Sequence, residues 1–130
     1  MMARKYILVS ILIASSLAGC ASDPWTKTDT AMYAAYLGAV AYDGVTTSKS
    51  RHYPCIHESG VIAKHVIGEH PDAANTWQYM GTTALGTYLI SRALPSTWRK
   101  VWLAGNTIEH GLAGYNNQSI IRRGCNGRVG

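Results

Sequence analysis

The sequence predicts a mainly α protein: a small three-helix domain with a long irregular loop, preceded by an N-terminal signal peptide. Three observations carry that reading. Apolar residues recur at helical spacing in three separate stretches. A segment holding two prolines, two glycines and four of the five histidines, residues 51–72, parts the first stretch from the second. The chain also opens with Arg4-Lys5 and an apolar run from Tyr6 to Leu17, the cationic start and apolar core of a secretory signal.

That run is shorter than the roughly 20 apolar residues needed to span a bilayer. It ends in Leu17-Ala18-Gly19-Cys20, which resembles the lipobox of bacterial lipoproteins. The resemblance implies cleavage before Cys20 and diacylation of its thiol; an ordinary signal peptide with a chance cysteine is the alternative. Ala21 and Ser22 follow, and the first aspartate, Asp23, comes too late for the inner-membrane retention signal of enteric-type lipoproteins. The resemblance therefore implies an outer-membrane protein facing the periplasm, its partner the bilayer that holds the acyl chains. The chain divides into a signal peptide over 1–19, a lipidated tether over 20–29 and a helical domain over 30–130.

The first helix starts near Thr28 to Thr30, where Thr and Asp side chains cap free amides. Met32, Tyr36, Ala39, Val40 and Asp43 share one face of it. Ala31, Ala34, Ala35, Gly38, Ala39 and Ala41 make it thin, so that another helix can approach closely. It fades over 46–50. In the long connection that follows, one helical turn is expected around Val61 to Ile67. The second helix runs from about Asp72 to Ala93, with Trp77, Met80, Gly81, Ala84, Leu85 and Tyr88 along its apolar stripe. Leu94-Pro95 breaks it, and Ser96 is a plausible N-cap for a third helix from Thr97 to about Tyr115. Trp98, Val101, Trp102, Gly105, Ile108 and Leu112 form the apolar face of this third helix, with Arg99, Lys100, Asn106 and His110 mostly away from it. In the tail from Asn116, Ser119-Ile120-Ile121 reads as a short strand or extended chain. A helical bundle, soluble or lying against a membrane, is favoured over spanning helices, because Arg99, Lys100, Glu109 and His110 would be costly in lipid.

Once Arg4 and Lys5 leave with the signal, ten basic residues face seven acidic ones. Arg122, Arg123 and Arg128 gather in the tail, where contact with anionic headgroups or simple solvation explains them. So few clustered charges on an exported chain argue against nucleic acid as a partner. With Cys20 lipidated, Cys55 and Cys125 remain as an even pair in an oxidising compartment, and a disulfide between them is expected; two free buried thiols are the alternative.

His52, His57, Glu58, His65, Glu69 and His70 lie within nineteen residues, yet His57-Glu58 is not followed by the second histidine of a zinc signature. No metal or other cofactor is expected. Nor is there a nucleophile elbow or a glycine-rich phosphate loop. The candidate polar cluster is Asp43 with Glu109, the two carboxylates assigned to apolar helix faces, joined by Glu58 and His110. Buried carboxylates must be paired or protonated. The cluster reads either as a network that fixes helix register or as acid–base groups of an active site.

The chain also carries Ala34-Ala35-Tyr36-Leu37, Asp43-Gly44-Val45-Thr46-Thr47, His57-Glu58, Ile67-Gly68-Glu69-His70-Pro71, Leu94-Pro95-Ser96-Thr97-Trp98-Arg99, and Glu109 followed by Asn116. In this order it resembles a family of small helical proteins of uncharacterised function, encoded in tailed-phage genomes and prophage regions. It departs from that pattern after Glu58, where Ser59-Gly60 opens an insertion up to His65. The resemblance implies a phage or prophage origin and no particular activity. Together with the lipobox it leads to the expectation of a non-enzymatic envelope binding module that acts in superinfection exclusion or host-surface modification, with an outer-membrane protein as its partner. An enzyme acting on lipid or cell wall through the carboxylate and histidine groups is the competing expectation.

Overall fold

The computed structural model describes residues 23–50, 52–53, 60–68 and 70–124. Among these the protein is helical: α1 Lys27–Ser50, α2 Val61–Ile67, α3 Ala73–Ala93 and α4 Ser96–Arg123, with no strand. Helix α1 begins earlier than the sequence suggests because Thr26 and Asp29 cap it reciprocally. The Thr26 hydroxyl accepts from the Asp29 N–H (3.1 Å), and Asp29 Oδ2 accepts from the Thr26 N–H (2.9 Å). Within the stretch assigned to the lipidated tether, 20–29, Asp23, Pro24, Thr26 and Asp29 are hydrogen-bonded into the fold.

The Asp72 carboxylate caps α3 by accepting from the Asn75 N–H at 2.7 Å. The short α2 spans the stretch where a helical turn was expected and ends at Gly68, whose φ of 86° takes the chain out of the helix. Helix α4 differs most from expectation. Pro95, without a side-chain cap bond, precedes it rather than a capping Ser96, and the Ser96 N–H is instead held by Asp23 Oδ2 at 2.7 Å, from 73 residues away. It then runs through Asn116 and the expected strand Ser119-Ile120-Ile121, to stop only at Gly124, which adopts φ 65°.

Helices α1 and α4 run parallel, since Asp29 meets Arg99 near one end and Thr47 meets Asn117 near the other. Helix α3 is antiparallel to α1, with Tyr88 against Trp25 and Trp77 against Gly44. The core between α1 and α3 is small: Tyr36, Val40 and Met80, flanked by Tyr33, Tyr79 and Ala84. Its polar tips are bonded, the Tyr36 hydroxyl to Thr87 Oγ1 (3.1 Å) and the Tyr33 hydroxyl to the Ala84 carbonyl (3.0 Å). The α1–α4 crossing is tight at Gly114, where a Cβ would stand 2.5 Å from the Tyr42 ring and 3.2 Å from the Asp43 backbone nitrogen.

The expected face of α1 is the buried one, with Tyr36, Val40 and Asp43 inside. Its small-residue stripe is not the contact: Ala31, Ala34, Ala35, Gly38 and Ala41 face solvent. Of the α3 stripe, Met80 is buried and Ala84 half-buried, but Trp77, Leu85 and Tyr88 are exposed, and Thr76, Thr87 and Ser91 take the interior. Helix α4 is rotated relative to the sequence reading. Trp98, Val101, Ile108 and Leu112 are all more than half exposed, while Arg99, Leu103, His110 and Gly114 are buried. Among the described residues no helix is long and apolar enough to cross a membrane.

Candidate functional site

The α1–α4 interface is polar, and its inward-facing chemistry sits in two clusters. The one nearer the C-terminal end of the helices centres on Asp43, on the buried face of α1. Its Oδ2 lies 2.7 Å from His110 Nδ1 on α4, and its Oδ1 accepts from the Thr47 hydroxyl at 3.1 Å. Asn117, two turns after His110, donates to Thr47 Oγ1 at 3.0 Å and reaches Thr46 Oγ1 at 3.5 Å. The Thr46 hydroxyl itself donates back to the Tyr42 and Asp43 carbonyls. A chain of donors therefore leads from Asn117 through Thr47 to Asp43 Oδ1, and His110 Nδ1 bonds the second carboxylate oxygen, Oδ2. The His110 side chain is only 10 % exposed and the Asp43 side chain 9 %. Tyr36 stands edge-on to the imidazole, ring centroids 5.8 Å apart. Burial pushes the Tyr36 hydroxyl above its ordinary titration range, so it stays a neutral donor to Thr87.

The second cluster lies at the N-terminal end of α1 and α4 and is built on Arg99. All five N–H groups of its guanidinium have acceptors. Nε donates to the Ser91 carbonyl (2.9 Å); Nη1 donates to Asp29 Oδ2 (2.8 Å) and the Pro24 carbonyl (3.2 Å); Nη2 donates to the carbonyls of Asp23 (3.0 Å) and Leu94 (3.1 Å). Three chain segments, the N-terminal approach, the end of α3 and the start of α4, are thereby fixed to one side chain. Trp25 lies against it, with the guanidinium carbon 5.3 Å from the ring centroid, and Arg92 stacks on the same ring at 5.5 Å. Burial pushes the Asp29 carboxyl up, but the Thr26 N–H and hydroxyl and the Arg99 guanidinium outweigh it and hold it below the usual carboxylate range. Asp29 Oδ1 and Trp102 Nε1 are buried without a partner among the described residues.

Of the residues singled out from the sequence, the structure brings Asp43 and His110 together. The expected pairing of Asp43 with Glu109 does not form: Glu109 is exposed, because the turn of α4 that faces α1 carries His110 instead. Glu58, His57 and Glu69 lie outside the described residues, as do Cys20, Cys55 and Cys125. His65 bonds locally to the Val61 carbonyl (2.7 Å), and among the described residues no three His, Cys, Asp or Glu side chains are grouped to hold a metal ion. The cluster at Asp29 and Arg99 was missed from the sequence. Its signal was present, in the Thr-x-x-Asp capping pattern at 26–29 and an arginine directly after Trp98, but both also read as ordinary surface features.

Comparison with known proteins adds no template. No protein-family model matches the chain, and neither does any curated protein or solved structure.

Chemically, the Asp43–His110 pair can do one of two things. It can lock two helices in register through hydrogen bonds that neither partner makes alone, or it can orient an imidazole so that Nε2 serves as a base. A cleft of about 410 Å³ lies near the far end of α4, lined by Tyr42, Tyr115, Gln118, Ser119, Arg122 and Arg123. Tyr42 precedes Asp43 in sequence, yet neither Asp43 nor His110 lines this cleft.

Proposed function

We propose that this chain is an outer-membrane lipoprotein of phage or prophage origin, anchored by acyl groups on Cys20. It acts as a non-enzymatic binding module that alters the bacterial envelope, as in superinfection exclusion. One observation favours a scaffold over an active site. The ionisable groups of the interior are spent on one another: His110 on Asp43, Asp43 also on Thr47, and Asp29 on Arg99. Such networks fix the relative register of helices. The exposed apolar side chains of α4, Trp98 and Val101 at one end and Ile108, Leu112 and Tyr115 further along, supply contact surface of the kind that binding modules use. The address rests on the run Leu17-Ala18-Gly19-Cys20.

The test is phage adsorption and plating on a sensitive host that expresses the full chain, beside a Cys20→Ala variant. Plating should fall for phages that use one receptor and return to normal with Cys20→Ala. Unchanged plating across a broad panel of receptors would sink the proposal.

A second reading, an enzyme acting on lipid or cell wall, has one observation in its favour: a carboxylate holds His110 Nδ1 and leaves Nε2 as the reactive ring atom. His110→Gln would then abolish an envelope-modifying activity, such as release of lipid or peptidoglycan fragments, without detaching the protein from the membrane. In the favoured reading the same substitution leaves envelope composition unchanged.

A further inference from the structure

The chain enters the fold at the corner between α3 and α4. There Asp23 Oδ2 accepts from the Ser96 N–H at 2.7 Å, and the carbonyls of Asp23 and Pro24 accept from Arg99 at 3.0 and 3.2 Å. Cys20 is three residues upstream of Asp23. Even fully extended, three residues span no more than about 11 Å. The Cys20 backbone therefore lies within that distance of the corner, closer than ten residues of unattached tether over 20–29 would hold it.

The surface there is suited to an interface. Leu89 near the end of α3 and Trp98 and Val101 in the first turns of α4 are 58 %, 64 % and 57 % exposed. Lys27, Arg92 and Lys100 are exposed at the same end, while its acidic groups are engaged, Asp29 buried against Arg99 and Asp23 on the Ser96 amide. Exposed apolar side chains and cations at one end of the fold, with a tryptophan among them, fit the headgroup layer of a phospholipid membrane.

We infer that the α3–α4 corner is seated in the headgroup layer of the same bilayer that holds the Cys20 lipid, with Trp98 and Leu89 dipping into the acyl boundary. The module is then held in one orientation, with the Asp43–His110 end and Arg122 and Arg123 of α4 pointing away from the membrane. This placement rests on the lipoprotein reading above, and it adds which surface meets the lipid.

Purified full-length protein, reconstituted in vesicles of phosphatidylethanolamine and phosphatidylglycerol with brominated acyl chains, tests it through tryptophan quenching. Mass spectrometry of the N-terminal peptide reads the acylation of Cys20 in parallel. The expected result is strong quenching that drops clearly in Trp98→Phe, which keeps an apolar ring, and persists in Trp77→Phe, whose ring packs on Gly44 towards the other end. An acylated protein whose quenching is the same with and without Trp98 overturns the seating and leaves the lipoprotein reading standing. If Trp98 is then also shielded from aqueous acrylamide, a second protein chain covers this face instead. A Cys20 that carries no acyl group overturns the lipoprotein reading and the seating with it.

Discussion

The two ends of the α1–α4 interface are held by buried pairs of side chains of different construction. At one end Arg99 carries a permanent charge, and most of its hydrogen bonds go to backbone carbonyls, those of residues 23, 24, 91 and 94, with Asp29 as the single carboxylate. At the other end His110 and Asp43 meet side chain to side chain, supported by Thr47 and Asn117. The first arrangement ties the N-terminal approach and the end of α3 to the start of α4. The second ties only the two helices, whose backbones are already satisfied. The difference teaches where each network's energy goes: Arg99 organises the chain's entry into the fold, whereas His110 sets the register of a crossing that Gly114 already allows.

Breaking the Arg99 end should have the largest effect. Arg99→Met leaves Asp29 buried and uncompensated and frees four carbonyls, so a loss of about 3–5 kcal/mol is expected in urea unfolding. A loss under about 1 kcal/mol would mean that Trp25 and the capping box hold this end without the guanidinium.

Close behind comes the expected Cys55–Cys125 bridge. Both cysteines lie outside the described residues, but each follows the C-terminal end of a helix, α1 and α4, and those ends are neighbours through Thr47 and Asn117. Closing so long a loop contributes about 4 kcal/mol in the chain-entropy model. Peptide mapping without reductant should recover the linked pair, and reductant should lower the urea midpoint. Two alkylated thiols in the untreated protein would refute the bridge.

Asp43→Asn is expected to cost less, about 1–3 kcal/mol, because an amide of the same shape keeps part of the bonding to Thr47 and His110. Should it cost more than Arg99→Met, the ranking of the two ends is reversed.

The smallest effect is on pH dependence. Asp29 titrates below its unfolded value, so its contribution is complete above about pH 4 and is lost as pH falls through the lowered folded value. Urea midpoints measured from pH 6 downwards should drop in this window for the wild type. Asp29→Asn, already less stable, should show a shallower drop there; an identical slope would remove Asp29 from the account.

How much of this was legible beforehand differs from helix to helix. The sequence alone determines that the protein is helical, that α1 buries the face of Tyr36, Val40 and Asp43, and that a break falls at Leu94-Pro95, because spacing, caps and proline are local properties. The export and lipidation signals are likewise local and stand in the sequence as an expectation. Only the tertiary structure decides the rotation of α4. Its periodicity marks an apolar stripe through Trp98, Val101, Ile108 and Leu112, but an apolar stripe can face a core, a membrane or another protein with the same spacing. The opposite face carries Arg99 and His110, whose carboxylate partners among the described residues, Asp29 and Asp43, lie on the buried side of α1. Pairing those side chains across the interface turns the polar face inward and leaves the apolar one outside. The same long-range contacts bear on the length of α4: the sequence ends this helix at about Tyr115, yet Asn117 is helical and donates to Thr47, seventy residues away. Which side chains would find each other depends on how two helices lie side by side, and that is not a property of either segment taken by itself.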